Sequence, residues 1–206
     1  MSASSPKIAT VFLLLALLLA ATRINHFGAL PDASWAVFFI AGFYLSKQMR
    51  WVFPGLMALA VAVDYFVISN SGINFWTHYC VSPGYWFLLP AHFAMWMGGA
   101  ALTRLADRSK GLALAALAPS LLLAVVLCHL FAQGGFYWFS SHWFAEGATA
   151  ATLAGWWKNY TDWLPAYLTT AAIYVGVASV MHIGWQIAFG RRESAAQPEL
   201  QTRPIF

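Results

Sequence analysis

Six long apolar segments separated by polar links constrain this chain more than any other feature. They cover residues 8–22, 33–46, 52–69, 85–105, 112–131 and 164–189. Only 9% of the residues are charged, whereas soluble domains carry roughly a quarter. Because a bilayer leaves backbone polar groups no water to bind, such segments are predicted to be α-helices. We therefore expect an all-α integral membrane protein, with six transmembrane helices in one domain and a polar tail over residues 191–206.

The first segment leaves two interpretations open. Its 15 residues would extend about 22 Å as a helix, short of a hydrocarbon core of roughly 30 Å. Either it is a short spanning helix whose flanking Lys7 and Arg23 reach the two interfaces, or it is a cleaved signal peptide with small residues near a cut site. We favour the spanning helix, because the later segments pack best in pairs.

The basic residues are distributed unevenly over the links. With six alternating helices, nine of the eleven Lys and Arg residues lie on the side of the termini, and Arg23 and Lys158 lie on the other. Cytoplasmic loops of membrane proteins carry an excess of Lys and Arg, so both termini are predicted to be cytoplasmic. The link between the third and fourth segments, residues 70–86, then faces the outside of the cell.

This link, which we call the cysteine loop, has the sequence NSGINFWTHYCVSPGYW and surrounds a single thiol with aromatic residues. The candidates for ring contacts with a ligand are Phe75, Trp76, Tyr79 and Tyr85, with Trp138 from the link after the fifth segment. The candidates for hydrogen bonds are Asn74, His78 and Asp64. Asp64 lies within the third segment, where a carboxylate either pairs with Arg23 or a histidine or contacts a ligand.

Cys80 is the strongest candidate for chemistry in the cysteine loop. A thiolate binds soft and borderline transition metals, and metal binding itself removes the thiol proton. The alternatives are a small buried hydrophobic residue or a disulfide with Cys128. A polar, aromatic loop favours the metal-binding interpretation. His26 and His142, in other outer links, are weaker candidates for binding a ligand or a metal.

Missing motifs exclude several functions. The sequence contains no Walker motif, GxGxxG, HExxH or zinc-type spacing of His and Cys, so the chain encodes no ATPase. A haem held by two histidines needs ligands at matching depth, and His92 and His129 lie at different distances from their outer helix ends. The net charge of +4 reflects membrane orientation. We expect no nucleic-acid partner and no separate cofactor.

These features together resemble a known family. Six short helices, an AxxxA pair at Ala16 and Ala20, and a site built from outer loops resemble the S-components of energy-coupling-factor (ECF) transporters, which capture vitamins. More narrowly, the sequences RINHFGALPDASWAVFFIAGFYL and FWTHYC resemble the BtuM family of vitamin B12 uptake proteins in the inner membrane of Gram-negative bacteria.

The resemblance implies a substrate and a role for one residue. Cys80 matches the loop cysteine that serves that family as axial ligand of the corrin cobalt, so cobalamin would be bound base-off, with its dimethylbenzimidazole displaced. It also implies uptake either with an ECF energising module, which would dock at Ala16 and Ala20, or without one.

Two further expectations concern chemistry at Cys80. A thiolate below the cobalt would weaken the bond to cyanide above it, so Cys80 is the candidate catalytic residue for decyanation of cyanocobalamin. The alternative function is a membrane redox protein that uses Cys80 and Cys128 as a dithiol or binds haem.

Overall fold

The computed structural model describes residues 6–24, 31–140 and 151–201 of the chain. Its six α-helices are α1 Pro6–Ile24, α2 Ser34–Leu45, α3 Met49–Asn70, α4 Leu88–Arg108, α5 Lys110–Phe139 and α6 Leu153–Gln201. Short 3₁₀ helices form at Ser46–Gln48 and, after α3, at Phe75–Thr77, Tyr79–Val81 and Pro83–Phe87. These ranges contain no β-strand, so the described part of the chain is all-α, as predicted.

Within the described ranges, four helical stretches are long and apolar enough to cross a membrane: Pro6–Ile24, Ser34–Asn70, Lys110–Phe139 and Leu153–Ala188. The second of them is not one straight rod. The rings of Phe38 and Phe53 lie 5.4 Å apart, although fifteen residues of straight helix would separate them by about 22 Å. α2 and α3 therefore form a hairpin that turns at Ser46–Gln48. The prediction of transmembrane helices is confirmed at this level.

Contacts between helices define two ends of the bundle. At one, which we call the Arg23 end, Arg23 of α1 hydrogen-bonds Ser34 at the start of α2 and Asp64 near the end of α3. At the opposite end, Thr103 Oγ1 of α4 donates to the carbonyl oxygen of Phe43 in α2 at 2.6 Å. Neighbours in sequence among α1, α2 and α3 are thus antiparallel, and α4 runs parallel to α2.

The last two helices continue this alternation. Ser140, directly after α5, hydrogen-bonds Ser82 of the cysteine loop, so α5 ends at the Arg23 end. The ring of Tyr167 in α6 stacks on Trp35 at the start of α2 with 4.5 Å between centroids. Further along α6, His182 Nδ1 lies 2.6 Å from a tyrosine hydroxyl near the end of α2. α6 therefore runs from the Arg23 end to the opposite end.

The backbones of α2 and α4 approach each other closely at two glycines. A Cβ atom at Gly99 would overlap the carbonyl oxygen of Phe39, and one at Gly42 would overlap the carbonyl oxygen of Trp96. Only glycine lets the two backbones approach so closely, as is common where small residues mediate helix packing in membranes. Trp96 is completely buried beside this contact. This interface forms the centre of the core.

The last two helices are longer than predicted. α5 continues to Phe139 rather than ending at residue 131, and α6 begins at Leu153 rather than 164. Two adjacent glycines within α5 do not end it, because at Gly135 the missing side chain leaves room for Phe87 of the neighbouring 3₁₀ helix. Helix packing here overrides the low helix propensity of glycine. Part of the predicted aromatic link is therefore helical.

The other helix ends differ less from the predicted ones. α4 begins at Leu88 rather than residue 85, because the five residues before it form a 3₁₀ helix, and it ends at Arg108 rather than residue 105. α1, α2 and α3 end within three residues of the predicted limits. The polar tail predicted over residues 191–206 begins as a continuation of α6, which runs to Gln201.

Candidate ligand-binding site at the Arg23 end

The cysteine loop folds into consecutive 3₁₀ turns that its own side chains cap. Asn74 Oδ1 accepts a hydrogen bond from the backbone N–H of Trp76 at 2.9 Å. His78 Nδ1 accepts one from the backbone N–H of Cys80 at 3.2 Å. Both side chains satisfy donors that the start of a helical turn leaves unpaired. Asn74 and His78, predicted as ligand contacts, thus have a structural role, and their contact with a ligand stays a prediction.

The two cysteines occupy different surroundings. Cys80 is half-buried in the 3₁₀ helix Tyr79–Val81, whereas Cys128 is completely buried in α5. Both are thiols that no disulfide joins. A thiol must be accessible to bind a ligand from outside the protein. Cys80 is therefore the more accessible of the two thiols.

The aromatic residues of the cysteine loop differ in how much ring they expose. Trp76 is 71% exposed, while Phe75 is 4% exposed and packs against Tyr65 and Trp76. Trp86, which we did not predict as a site residue, is 62% exposed. Among the loop rings whose side chains the structure describes, these two indoles expose the largest fraction of their surface. The backbone of Tyr79 lies directly beside Cys80 in the 3₁₀ helix.

The end of α5 packs on the cysteine loop and brings Trp138 to the same end of the bundle. The hydroxyls of Ser82 and Ser140 hydrogen-bond across this contact. The half-exposed Trp138 lines a cavity of about 180 Å³ together with Trp156 of α6. His26 and His142, the weaker candidates from other outer links, lie outside the described residues.

A buried ion cluster lies beside the loop. Both carboxylate oxygens of Asp64 accept hydrogen bonds from Arg23, one from Nε at 2.6 Å and one from Nη2 at 2.7 Å. Nη1 of Arg23 donates to Asp32 at 3.1 Å and to Ser34 at 3.0 Å. The hydroxyl of Tyr85 donates to Asp64 at 2.6 Å. The cluster therefore joins α1, α2 and α3 to the cysteine loop.

The side chains of the ion cluster are shielded from solvent, and their opposite charges compensate one another. The side chains of Arg23 and Asp64 are 9% and 17% exposed, so their hydrogen bonds must offset a large cost of desolvation. Burial, and then the negative charge of Asp64, raise the pKa of Tyr85, so its phenol remains a hydrogen-bond donor. Of the two alternatives given for Asp64, the structure shows the ion pair with Arg23. Direct contact of Asp64 with a ligand stays a prediction.

A cavity of about 160 Å³ lies next to the ion cluster, between α3 and α4. Arg23, Tyr85 and Trp86 form part of its wall, and His92 of α4 forms another part. Pockets that enclose drug-sized ligands measure roughly 300–1,000 Å³. This cavity is therefore smaller than the pockets that enclose drug-sized ligands.

Metal-ligating side chains are not clustered in the described ranges, where no three His, Cys, Asp or Glu residues could hold one ion together. A structural zinc site normally needs four such ligands. Cobalt in a corrin is already held by the ring nitrogens and takes a single axial ligand from a protein. The finding therefore does not test whether Cys80 binds corrin cobalt.

Several residues at this end escaped the sequence analysis. Trp86, Asp32 and Ser34 were not predicted to belong to a site, and His92 was considered only as a haem ligand. The sequence shows these residues next to apolar segments, but it does not show that they come together, because that depends on how the helices pack.

A comparison with protein families finds no match, and a comparison with curated proteins finds none either.

Proposed function

We propose that this chain is a BtuM-type uptake protein for vitamin B12 (cobalamin) in the bacterial inner membrane, and that the Cys80 thiolate binds the corrin cobalt. The observation that carries the proposal is the position of Cys80, a half-buried thiol in a short 3₁₀ turn of the cysteine loop, outside the six α-helices. A thiolate is a good ligand for transition metals of this class. Cobalamin would be bound base-off, because Cys80 takes the coordination position of its own dimethylbenzimidazole.

The ligand's shape suits the surfaces around Cys80. A corrin ring is broad and largely apolar, so exposed aromatic rings are suitable partners for its face or edge. Trp76 and Trp86 offer such rings in the cysteine loop. The ring can lie across the loop, since only its cobalt must reach the sulfur atom. The bulk of the ligand would then remain at the surface of the Arg23 end.

We further propose six membrane crossings with both termini in the cytoplasm. Three features support this topology: the α2–α3 hairpin, the alternating direction of the helices, and the basic residues at the end opposite Arg23. These basic residues include Lys47, Arg50, Arg104 and Lys110. The positive-inside rule assigns that end to the cytoplasm, so the cysteine loop faces the periplasm.

The first helix is retained under this proposal. Leu19 is completely buried, and Arg23 forms the ion pair with Asp64. Cleavage of α1 near Ala20 and Ala21 would take Leu19 out of the core and leave Arg23 without the helix that holds it beside Asp64. Ala16 and Ala20 lie half-buried on the same helix, where an ECF energising module would dock if uptake uses one.

Decyanation of cyanocobalamin follows from the same bond. A thiolate on the lower face of cobalt donates electron density and weakens the cobalt–carbon bond on the upper face. Cyanide leaves with the bonding electron pair and takes up a proton from water, while the cobalt remains trivalent. Cys80 is then both the metal ligand and the catalytic residue.

The visible absorption spectrum of cobalamin tests the proposal, because it reports the axial ligands of cobalt. We expect purified wild-type protein to shift the spectrum of cyanocobalamin and Cys80→Ala to leave it unchanged. Cys128→Ala is the matched control and should retain the shift, since Cys128 is buried in α5. A shift that persists in Cys80→Ala would overturn the proposal.

The same variants test the alternative function. A dithiol redox protein would lose its activity in Cys128→Ala as well as in Cys80→Ala, and a haem protein would be purified with the absorption bands of haem. Under our proposal, Cys128→Ala binds cobalamin as the wild type does.

A further inference from the structure

Two residues after Cys80, a pair of serines joins the cysteine loop to the end of α5. The hydroxyl of Ser82 donates to the hydroxyl of Ser140, and each of these residues is only 3% exposed. A buried hydroxyl without a partner would cost the free energy of its desolvation. The two serines satisfy each other, and their contact joins positions that are 58 residues apart in the sequence.

The side chain of Ser82 does not make the hydrogen bond that its own position favours. Ser82 is the N-cap residue of the 3₁₀ helix Pro83–Phe87, and serine at an N-cap commonly accepts a hydrogen bond from a nearby backbone N–H. Within residues 82–87, all of which the structure describes, its side chain makes no such bond. The hydroxyl of Ser82 therefore serves a contact between two distant segments rather than local capping.

Gly84 lets the cysteine loop lie directly on α5 beside the serine pair. A Cβ atom at Gly84 would overlap the hydroxyl oxygen of Ser140 and lie 2.6 Å from the carbonyl oxygen of Gly135. Among the described residues only Gly72 has a positive φ, so glycine is needed at position 84 for the close approach and not for an unusual backbone conformation. The glycine contact and the hydroxyl pair thus hold the same two segments together.

Backbone hydrogen bonds connect this contact to Cys80. The N–H of Val81 donates to the carbonyl oxygen of His78 at 2.9 Å, and the N–H of Cys80 donates to His78 Nδ1 at 3.2 Å. Ser82 follows this turn directly, and Cα atoms two residues apart are separated by at most about 7 Å. A 3₁₀ turn has poorer hydrogen-bond geometry than an α-helix, so contacts outside the turn are needed to keep it in one position. The position of Cys80 therefore depends on the attachment of Ser82 to α5.

We propose that Ser82 and Ser140 are positioning residues for the metal ligand. Their hydroxyl pair fixes the turn that carries Cys80 on the end of α5, so that the sulfur atom is held where it meets the corrin cobalt. The inference rests on the proposed function. Substitution of residues that orient a metal ligand typically lowers metal affinity by about 10–100-fold. A single axial bond to a metal inside a broad ring likewise requires the sulfur atom at one place.

The variant Ser82→Ala/Ser140→Ala separates positioning from stability. It removes both hydroxyls and leaves neither unpaired, so chemical unfolding in detergent should stay close to that of the wild type. Spectral titration with cobinamide measures the sulfur–cobalt bond, because cobinamide has no nucleotide base that competes for the lower face of cobalt. We expect its affinity to fall about tenfold, the lower limit for a residue that orients a metal ligand.

A second measurement needs no corrinoid. In a Cys128→Ala background Cys80 is the only thiol in the chain, and its rate of alkylation by iodoacetamide reports its accessibility. Cys80 is half-buried, so release of the turn in the double alanine variant should expose the thiol further and raise this rate several-fold.

Ser120→Ala is the matched control. It removes a hydrogen bond of 3.0 Å from α5 to the carbonyl oxygen of Gly98 in α4, and Ser120 lies about 30 Å along the helix from Ser140. This variant should change neither the alkylation rate of Cys80 nor the affinity for cobinamide.

A conservative variant tests whether the hydroxyl itself holds the turn. The backbone of Ser82 is extended, with φ −67° and ψ 175°, a conformation that suits a β-branched residue. Ser82→Thr keeps the hydroxyl and should retain most of the affinity that the double alanine variant loses. If Ser82→Thr raises the alkylation rate as much as the double variant does, the hydroxyl is not what holds the turn, and the inference is wrong.

The outcomes distinguish this inference from the proposed function. If the wild type binds cobinamide through Cys80 and the double alanine variant binds it equally well, the serine pair only packs the loop and the inference is wrong. If even the wild type shows no spectral change that depends on Cys80, the proposed function is wrong. The positioning role is then wrong with it, although faster alkylation of the double variant would still show that the serine pair holds the turn.

Discussion

Between α2 and α4 the two backbones touch at Gly42 and Gly99, and no side chain could be added at either position without overlap. In the cysteine loop, by contrast, short 3₁₀ turns replace long helices, and Trp76 and Trp86 keep most of their surface exposed. Helices in lipid associate through close packing, because lipid tails are as apolar as the side chains they replace. The interface therefore stabilises the bundle, while the loop presents surfaces that a ligand can cover.

The ion cluster connects these two regions. Arg23 and Asp64 belong to the helices, and Tyr85 belongs to the segment before α4. A change in the cluster should therefore affect both stability and the position of the loop. The effect on stability is expected to decrease from the interface through the cluster to the exposed indoles, and the four variants below test this order.

Gly99→Leu should have the largest effect. A leucine at this position would overlap the backbone of α2, and neither helix can move without losing the packing around Trp96. We expect little or no folded protein, measured as the fraction that elutes as a single symmetrical peak in detergent. Gly176→Leu in α6, where nothing lies within 4 Å of an added Cβ, is the control and should elute normally. Normal elution of Gly99→Leu would show that the interface tolerates separation.

Asp64→Asn should follow in size. The substitution keeps the shape of the side chain but leaves the buried Arg23 with weaker charge compensation. Removing one partner of a buried pair costs about 3–5 kcal/mol, and we expect the lower limit because Asp32 also contacts Arg23. Chemical unfolding in detergent measures the loss. Asp162→Asn, in the exposed pair with Lys158, should cost less than about 1 kcal/mol. If the two variants lose equal free energy of unfolding, the buried ion cluster does not stabilise the protein more than an exposed ion pair does.

Tyr85→Phe should have a smaller effect than Asp64→Asn. It removes the phenol that donates to Asp64 but preserves both hydrogen bonds from Arg23. A hydrogen bond to a charged group contributes about 1.5–3 kcal/mol, and we expect a loss near the lower limit of this range in the free energy of unfolding, because Asp64 keeps both hydrogen bonds from Arg23. Tyr65→Phe, whose ring is 53% exposed, is the comparison and should change little. If Tyr85→Phe leaves the free energy of unfolding unchanged, the hydroxyl does not anchor the loop.

Trp76→Ala should change stability least, by less than about 0.5 kcal/mol, because substitutions at exposed positions rarely cost more. It should nevertheless weaken cobalamin binding several-fold, since an aromatic contact contributes roughly 0.5–1.5 kcal/mol. Trp51→Ala is the control: Trp51 is 75% exposed but lies at the start of α3, at the opposite end of the bundle. If both variants bind cobalamin equally well, the indole of the cysteine loop is not a ligand surface.

The existence of the helices could be predicted because a long uncharged run in a bilayer must satisfy its own backbone groups. The helix ends could not, because they depend on contacts distant in sequence. Gly135 predicts the end of a helix, but α5 continues through it because Phe87 packs against this glycine. The 3₁₀ helix before Leu88 has no clear sequence signal. The opposite directions of α2 and α3, by contrast, were expected from alternating membrane helices.

The candidate site was predictable only in part. Cys80 could be selected from its polar, aromatic surroundings, which are local in sequence. The pairing of Arg23 with Asp64 joins residues 41 positions apart, so the sequence could name it only as one of several alternatives. Tyr85 was predicted to offer its ring, but the structure buries the ring and uses the hydroxyl.

The central claim is a bond between the sulfur of Cys80 and the cobalt of a corrin. X-ray absorption at the cobalt edge detects such a neighbour directly in the purified complex. We predict one sulfur atom in the first coordination shell of the wild-type complex and none with Cys80→Ala. A wild-type spectrum that requires only nitrogen, oxygen and carbon neighbours would contradict the account.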